Sequence, residues 1–299
     1  MIFLPGIIAP AALRYQPLFD ALGDDVDAVP KDLEVYGGPS VPPPGYSLDI
    51  EIDGIARVAD EHGFGKFHLY GHSGGGACAL AFTAMHPERV LTLALDEPAA
   101  DFSKEDLEEL RQVFLPMLEL PPDQQMAAFL RAQMREGAEL PPRREGPPPP
   151  WMADRPAGVT AFVRAVSQAE VPVERLAAFD RPVYFALGAL SNPDMYSELA
   201  ERLSRVFDDF TLEVYEGRHH FDPPHRIEPE RLARSLMTLW ERAEASADTA
   251  HAQPHLHTTK RYRERRRSPR TSTKRHAVAD VRSKPIPAAP RSSCAFTRV

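Results

Sequence analysis

Leu69-Tyr70-Gly71-His72-Ser73-Gly74-Gly75 sets a G-x-S-x-G pentad at the end of an apolar run, and Ala77 to Met85 follows with the small and apolar residues of a buried helix. A serine in a sharp strand-to-helix turn is held in a strained backbone conformation, and flanking glycines remove side chains that would clash with it. Its Oγ is then exposed. The amide of Gly74 faces the same space at a helix N-terminus, where unsatisfied N–H groups and the helix dipole favour a developing oxyanion. The pentad alone also fits an ordinary Gly/Ser turn; a strand before it and a helix after it favour a nucleophile.

Working outward, six short apolar runs alternate with longer helical patterns: Ile2 to Pro5, Ala28 to Tyr36, Phe67 to Tyr70, Val90 to Leu95, Val183 to Leu187 and Leu212 to Tyr215. That alternation predicts an α/β class, a mostly parallel twisted sheet with helices on both faces. Ser47 to His62 reads as a helix with Ser47 as N-cap and Gly63 at its end, and Glu228 to Ala245 places Leu232, Leu236, Leu239 and Trp240 on one face. Core segments 1–100 and 181–245 therefore flank an insertion over 101–180, read as a helical cap. Phe102 to Leu118, Pro122 to Glu136 and residues 158–178 carry helical spacing. Residues 141–156 hold seven prolines and cannot continue a helix. A stiff connector holding the cap over a site and a plain surface loop both fit that stretch.

The 299 residues are 43% apolar and 26% charged, the profile of a globular enzyme rather than a disordered chain. The net charge of -8 conceals an asymmetry. Residues 246–299 carry 13 Lys+Arg against 3 Asp+Glu, so the remainder holds -18. An acidic body argues against nucleic acid as the main partner. The basic stretch is read as a disordered extension, with contact to nucleic acid or another polyanion as the lesser reading. Cys78 and Cys294 offer neither a disulfide framework nor a four-ligand zinc site, which fits a reducing compartment. Met1 to Leu13 lacks a basic leader and no run approaches a bilayer span, so a cytoplasmic location is expected.

With the pentad in its strand-to-helix setting, the chain resembles the α/β-hydrolase superfamily over about residues 1–245. The resemblance implies a chain order of nucleophile, carboxylate and histidine. Ser73 stands first. His220 stands last, in Gly217-Arg218-His219-His220-Phe221 after the final apolar run, where the family places a G-x-x-H segment. Position favours it over His219; a buried structural histidine is the alternative. In most relatives the acid follows the next-to-last strand, but Gly188-Ala189-Leu190-Ser191-Asn192-Pro193-Asp194 holds Ser191 there. Asp96-Glu97-Pro98 instead resembles the haloalkane dehalogenase branch, whose acid follows the preceding strand. The order of preference is Glu97, Asp194, Asp96. Dehalogenases and epoxide hydrolases carry an aspartate nucleophile where this chain has Ser73, so an acyl-enzyme is the expected intermediate. Relatives carry His-Gly ahead of the second oxyanion donor; here Pro5-Gly6 precedes Ile7, whose amide pairs with that of Gly74. A start at this strand also implies that the family's first two strands are missing, as a compact version or because the start lies upstream, and leaves the second run as a sheet edge.

Gly6, Ile8, His72 and Trp151 are expected to contact substrate. Leu13, Phe114, Met117, Met126, Phe129 and Met134 are further candidates for an apolar cavity, or for plain core. Arg14 and Arg218, beside the oxyanion loop and the histidine, raise a substrate carboxylate, against the commoner outcome of surface arginines. Cys78 reads as buried packing. The expected function is a serine esterase acting on a small carboxylic ester or related acyl bond, with no cofactor, metal or membrane. A carbon–carbon hydrolase or acyltransferase with the same triad comes next. A non-catalytic hydrolase-like binding protein is kept open by Ser191.

Overall fold

The computed structural model describes residues 1–100, 108, 111–139 and 146–252, with backbone alone for 122–123 and 246–252. Residues 253–299, most of the basic extension, lie outside the described residues, as do 101–107, 109–110 and 140–145 of the insertion.

Six strands, β1 (Ile2–Leu4), β2 (Val29–Pro30), β3 (Phe67–His72), β4 (Val90–Asp96), β5 (Val183–Gly188) and β6 (Phe210–Tyr215), form one sheet in the order β2-β1-β3-β4-β5-β6. Every pairing is parallel. The side-chain period of two sorts each strand between two cores. Ile2, Leu4, Leu69, Leu93, Leu95, Val183 and Phe185 face one cluster, while Phe3, Tyr70, Ala94, Tyr184 and Ala186 face the other. Helices α1 (Ala11–Leu22) and α9 (Pro229–Ala252) cover the second face through Tyr15, Leu18, Leu232 and Leu236. On the first face lie α2 (Leu48–Glu61), α3 (Gly74–Met85) and α7 (Glu198–Val206). A strand buried on both faces reads as a continuous apolar run, which is why β1, β4 and β5 stand out in the sequence.

The insertion between β4 and β5 supplies α4 (Pro122–Ala132), α5 (Arg155–Gln168) and α6 (Val173–Ala177). The expected helix over 122–136 stops at Ala132 because residues 133–135 turn to pair with 190–192. Met134 bridges Ser191, the Arg135 amide donates to the Leu190 carbonyl, and the Asn192 amide donates to the Gln133 carbonyl. Part of the proline-rich stretch forms a 3-10 turn, Pro150–Asp154, that leads into α5. A short helix α8 (Pro224–Ile227) precedes α9, which runs to Ala252, seven residues past its expected end at Ala245.

The second expected strand, Ala28 to Tyr36, shrinks to two residues at the sheet edge, followed by a 3-10 turn over Glu34–Tyr36. Pairing with β1 continues past Pro30 to the Lys31 amide, which donates to the Phe3 carbonyl at 3.0 Å; beyond it the buried Glu51 carboxylate of α2 captures the amides of Glu34 at 2.8 Å and Val35 at 3.0 Å, with the Tyr46 hydroxyl donating at 2.7 Å. This turn matters for the site, because it carries Tyr36. Glu51→Ala leaves two buried donors without acceptors and should lower stability by roughly 2 kcal/mol or more, seen as an earlier urea midpoint at unchanged slope. A loss below about 0.5 kcal/mol would show that the turn is held without the carboxylate.

Candidate active site

Register brings the carboxyl ends of the strands level: Leu4 pairs with Gly71, and His72 with Asp96. The chain order reverses direction between β1 and β3, and a crevice at such a switch point is where open parallel sheets hold ligands. Into it project the loop after β1, the turn after β3, the turn after β4 and the loop after β6.

Ser73 stands at the turn between β3 and α3 with φ 51° and ψ -119°. This left-handed backbone costs on the order of 1–3 kcal/mol for a residue with a Cβ. Three hydrogen bonds hold it. The Ser73 amide donates to the Asp96 carbonyl at 2.9 Å, while the Ser73 carbonyl accepts from Ala77 at 3.1 Å and Ala99 at 2.9 Å. Glycine is required around it. A Cβ on Gly71 would strike the Gly75 carbonyl, and one on Gly75 the Leu4 carbonyl. Glu97, at φ 45°, is the other non-glycine residue with positive φ among the described residues.

These two strained residues meet one histidine. His220 Nε2 lies 2.9 Å from Ser73 Oγ, and His220 Nδ1 lies 2.9 Å from Glu97 Oε2. The other Glu97 oxygen accepts from the Gly188 amide at 2.7 Å. All three side chains are buried. The imidazole is clamped between rings, with Tyr196 stacked at 4.8 Å and 9° and His72 at 5.0 Å and 26°. The Tyr196 hydroxyl donates to Gln133 Oε1 at 3.0 Å, so the insertion reaches the histidine through one residue. Tyr196 carried no motif; only the fold brings it here.

Gly74 opens α3, so its amide has no intrahelical acceptor. The loop after β1 is fastened beside it by the Gly75 amide donating to the Pro5 carbonyl at 3.0 Å. Tyr36 fastens the same loop from the far side, its hydroxyl donating to the Ile7 carbonyl at 2.8 Å. Ile7, Ser73, Gly74, Ala99, Phe114, Phe129, Gln133, Phe162, Val163 and Val166 line a narrow, largely apolar cavity.

The other expected residues fall elsewhere. Asp194 is exposed, its backbone amide bound to Asn192 Oδ1 at 3.1 Å, and does not reach His220. Gly6 packs under His72, and the His72 ring is buried behind His220 rather than in the cavity. Ile8 lines a second, outer cavity. Trp151 lines neither, and the Arg155 guanidinium lies 5.1 Å from its indole centroid. Arg218 is tied to Glu228 at 2.7 Å, and neither it nor Arg14 lines the cavity at Ser73. Leu13 is exposed, Cys78 is buried in the core, and His219 sits against Asp222 at 3.4 Å. Among the described residues no helix is long and apolar enough to cross a membrane, and no cluster of three His, Cys, Asp or Glu is placed to hold a metal.

A family model described as alpha/beta hydrolase fold matches residues 2–139, which takes in Ser73 and Glu97 and stops before His220. Lipase LipV of Mycobacterium tuberculosis is 33% identical over 93 residues, 31% of this chain and 34% of that protein. The dihydrolipoyllysine-residue acetyltransferase component of the acetoin cleaving system of Cupriavidus necator is 37% identical over 79 residues, 26% of this chain and 21% of that one. The chain thus spans about a third or less of the length of these relatives. In three dimensions it resembles a thermophilic esterase from Thermogutta terrifontis, with TM-score 0.60 and 19% identity over 81% of this chain and 89% of that one.

Asp96, one residue before Glu97, belongs to a separate buried set. Its Oδ2 accepts from the Tyr70 hydroxyl at 2.7 Å and lies 2.8 Å from His225 Nδ1. Burial raises its carboxyl to about 7, against the lowering effects of the Tyr70 hydrogen bond and of His220 and Arg14. Burial likewise pushes His225 well below the usual histidine range. A carboxyl whose folded value lies above its unfolded one stabilises the fold fully below the unfolded value of about 3.8, and that contribution is lost as pH rises to about 7. Asp96→Asn removes this slope. Thermal melts should therefore show the variant gaining on the wild type between about pH 4 and pH 7; a difference that stays constant across that window would exclude the assignment.

Proposed function

We propose that this chain, which has the α/β-hydrolase fold and matches that family's model over residues 2–139, is a serine esterase, cleaving a carboxylic ester or related acyl bond through an acyl-enzyme. The observation that carries the reading is the chain of contacts from Ser73 Oγ through His220 to Glu97, 2.9 Å at each step. Ser73 Oγ attacks the acyl carbonyl as His220 Nε2 takes its proton, and the imidazolium then gives that proton to the departing alkoxide. Glu97 accepts from Nδ1–H, which fixes the tautomer and stabilises the imidazolium. The negative oxygen of the tetrahedral intermediate sits between the amides of Gly74 and Ile7. Water, deprotonated by His220, repeats the attack and releases the acid and Ser73.

The cavity favours an ester over a polar acyl donor, since Gln133 and Ser73 are the polar side chains among its lining residues. The lipase and esterase named above support the same bond type. Glu97 against His220 supports the catalytic reading over the non-catalytic one that Ser191 raises.

A fluorophosphonate probe should label Ser73, located by peptide mass spectrometry, and both Ser73→Ala and His220→Ala should abolish labelling. Glu97→Gln should lower kcat with p-nitrophenyl esters by about 10³- to 10⁴-fold while Asp194→Asn stays near wild type. Folded wild type that takes no probe overturns the proposal; the reverse ranking of the two carboxylates overturns the acid.

A further inference from the structure

Arg155 is a buried cation with no carboxylate counterion among the described residues. It is 6% exposed at the start of α5, its Nε–H has no acceptor, and no carboxylate lies within ion-pair distance of it among the described residues. The guanidinium stacks 3.6 Å from the Tyr36 ring centroid and interacts with the Tyr36 hydroxyl, a neutral partner that leaves the charge itself unpaired among the described residues and the Nε–H without an acceptor. Buried arginines are normally paired, since desolvation of the charge is unfavourable unless an anion offsets it.

This cation lines a cavity. An outer chamber is walled by Ile8, Met117, Met126, Val159, Thr160 and Arg155 among others, and it shares Phe114, Phe129 and Val163 with the chamber at Ser73. One stripe of α5 runs through both: Arg155 and Val159 on the outer chamber, Val163 on both, Phe162 and Val166 on the inner. Phe162 touches the position of a Cβ on Gly74, so seven residues of helix, roughly 10 Å, separate the cation from the proposed oxyanion hole. Between them the walls are apolar apart from Gln125, Gln133 and Thr160. The positive end of the α5 dipole adds to the field at Arg155.

We propose that Arg155 is an anion subsite: the acyl group carries a terminal carboxylate, held by Arg155 across an apolar spacer while its ester carbonyl lies at Ser73. The substrate class is thus the half-ester of a linear dicarboxylic acid. Ser73 displaces the alcohol, water displaces Ser73, and the dicarboxylate leaves. This rests on the serine esterase reading for its chemistry but not for the binding itself. The body outside the basic extension carries -18, so a local cation is needed to draw an anionic substrate in.

The test compares mono-p-nitrophenyl esters of succinic, adipic, suberic and sebacic acid with neutral p-nitrophenyl alkanoates of matching length, in wild type, Arg155→Met and Arg155→Lys. The expected result is a wild-type preference for the half-esters that peaks at adipate or suberate, where the spacer spans the two chambers. In Arg155→Met the ratio of kcat/KM for half-ester over neutral ester should fall by roughly 10- to 100-fold, mainly through KM, and Arg155→Lys should restore part of it. A wild type indifferent to the carboxylate, or an Arg155→Met ratio equal to that of wild type, overturns the subsite. Should Arg155→Met fail to fold, the wild-type series and Arg155→Lys decide. Calorimetry of free adipate and suberate on Ser73→Ala separates the two proposals. Binding that Arg155→Met abolishes sustains the subsite even if the fluorophosphonate fails to label Ser73, whereas labelling at Ser73 without dicarboxylate binding or preference sustains the esterase and removes the subsite.

Discussion

The left-handed backbone of Ser73 is the constraint on which the rest of the molecule turns. It is tolerable only where neighbouring backbone comes closer than a side chain allows, and Gly71 and Gly75 provide that approach against each other and against β1. The same contact welds three elements into one unit. The Gly75 amide binds the loop after β1, and the Ser73 amide and carbonyl bind the segment leaving β4. Strain in Ser73 is thus offset by hydrogen bonds to the two loops that carry its proposed chemical partners, Ile7 and Glu97. The second strained residue, Glu97, lies on one of those loops, so both distortions point side chains at the same histidine.

Legibility in the sequence followed the range of the forces involved. Strands buried on both faces appear as apolar runs, and the serine turn appears as glycines, because each is set by local backbone sterics and burial. Ser73, Glu97 and His220, read from motif and chain order, come together across 147 residues in one case and 123 in another. Segments decided by a distant partner were opaque. The apolar run into Tyr36 looks like a strand until the Glu51 carboxylate, sixteen or seventeen residues on, takes its amides. Trp151 looks like a cavity residue but lines neither chamber, and the Arg155 guanidinium lies near its ring. Tyr196 and Gln133 have no signature at all, since their roles arise from pairing between the insertion and the loop after β5.

Tyr36 shows how the insertion and the core share one support. Its hydroxyl holds the Ile7 carbonyl, and its ring carries the Arg155 guanidinium. Gly158 on α5 has no side chain, and a Cβ there would overlap that ring, so the helix settles directly on the tyrosine. Displacing α5 therefore disturbs the carbonyl that orients the proposed oxyanion donor. Burial pushes the Tyr36 hydroxyl up to about 12 despite the neighbouring guanidinium, which keeps it a donor at any physiological pH. A single phenol thus makes the position of the insertion a condition on the geometry of the site.

The position of the proposed acid has a further structural consequence. A carboxylate after β5 would commit the loop at 189–194 to the histidine. With Glu97 on the turn after β4, that loop is released, and the structure spends it on the insertion: Leu190, Ser191 and Asn192 pair with residues 133–135, and the Asn192 side chain donates to the Ala132 carbonyl at 2.7 Å. The backbone does not lose its connection to the acid, because the Gly188 amide still binds Glu97 Oε1. One strand end thereby braces the carboxylate while the following three residues brace the insertion. Tyr196, a turn later, completes the arrangement by stacking on His220 and reaching Gln133. With the proposed acid one strand earlier, the loop after β5 serves as the joint that holds the insertion above the serine.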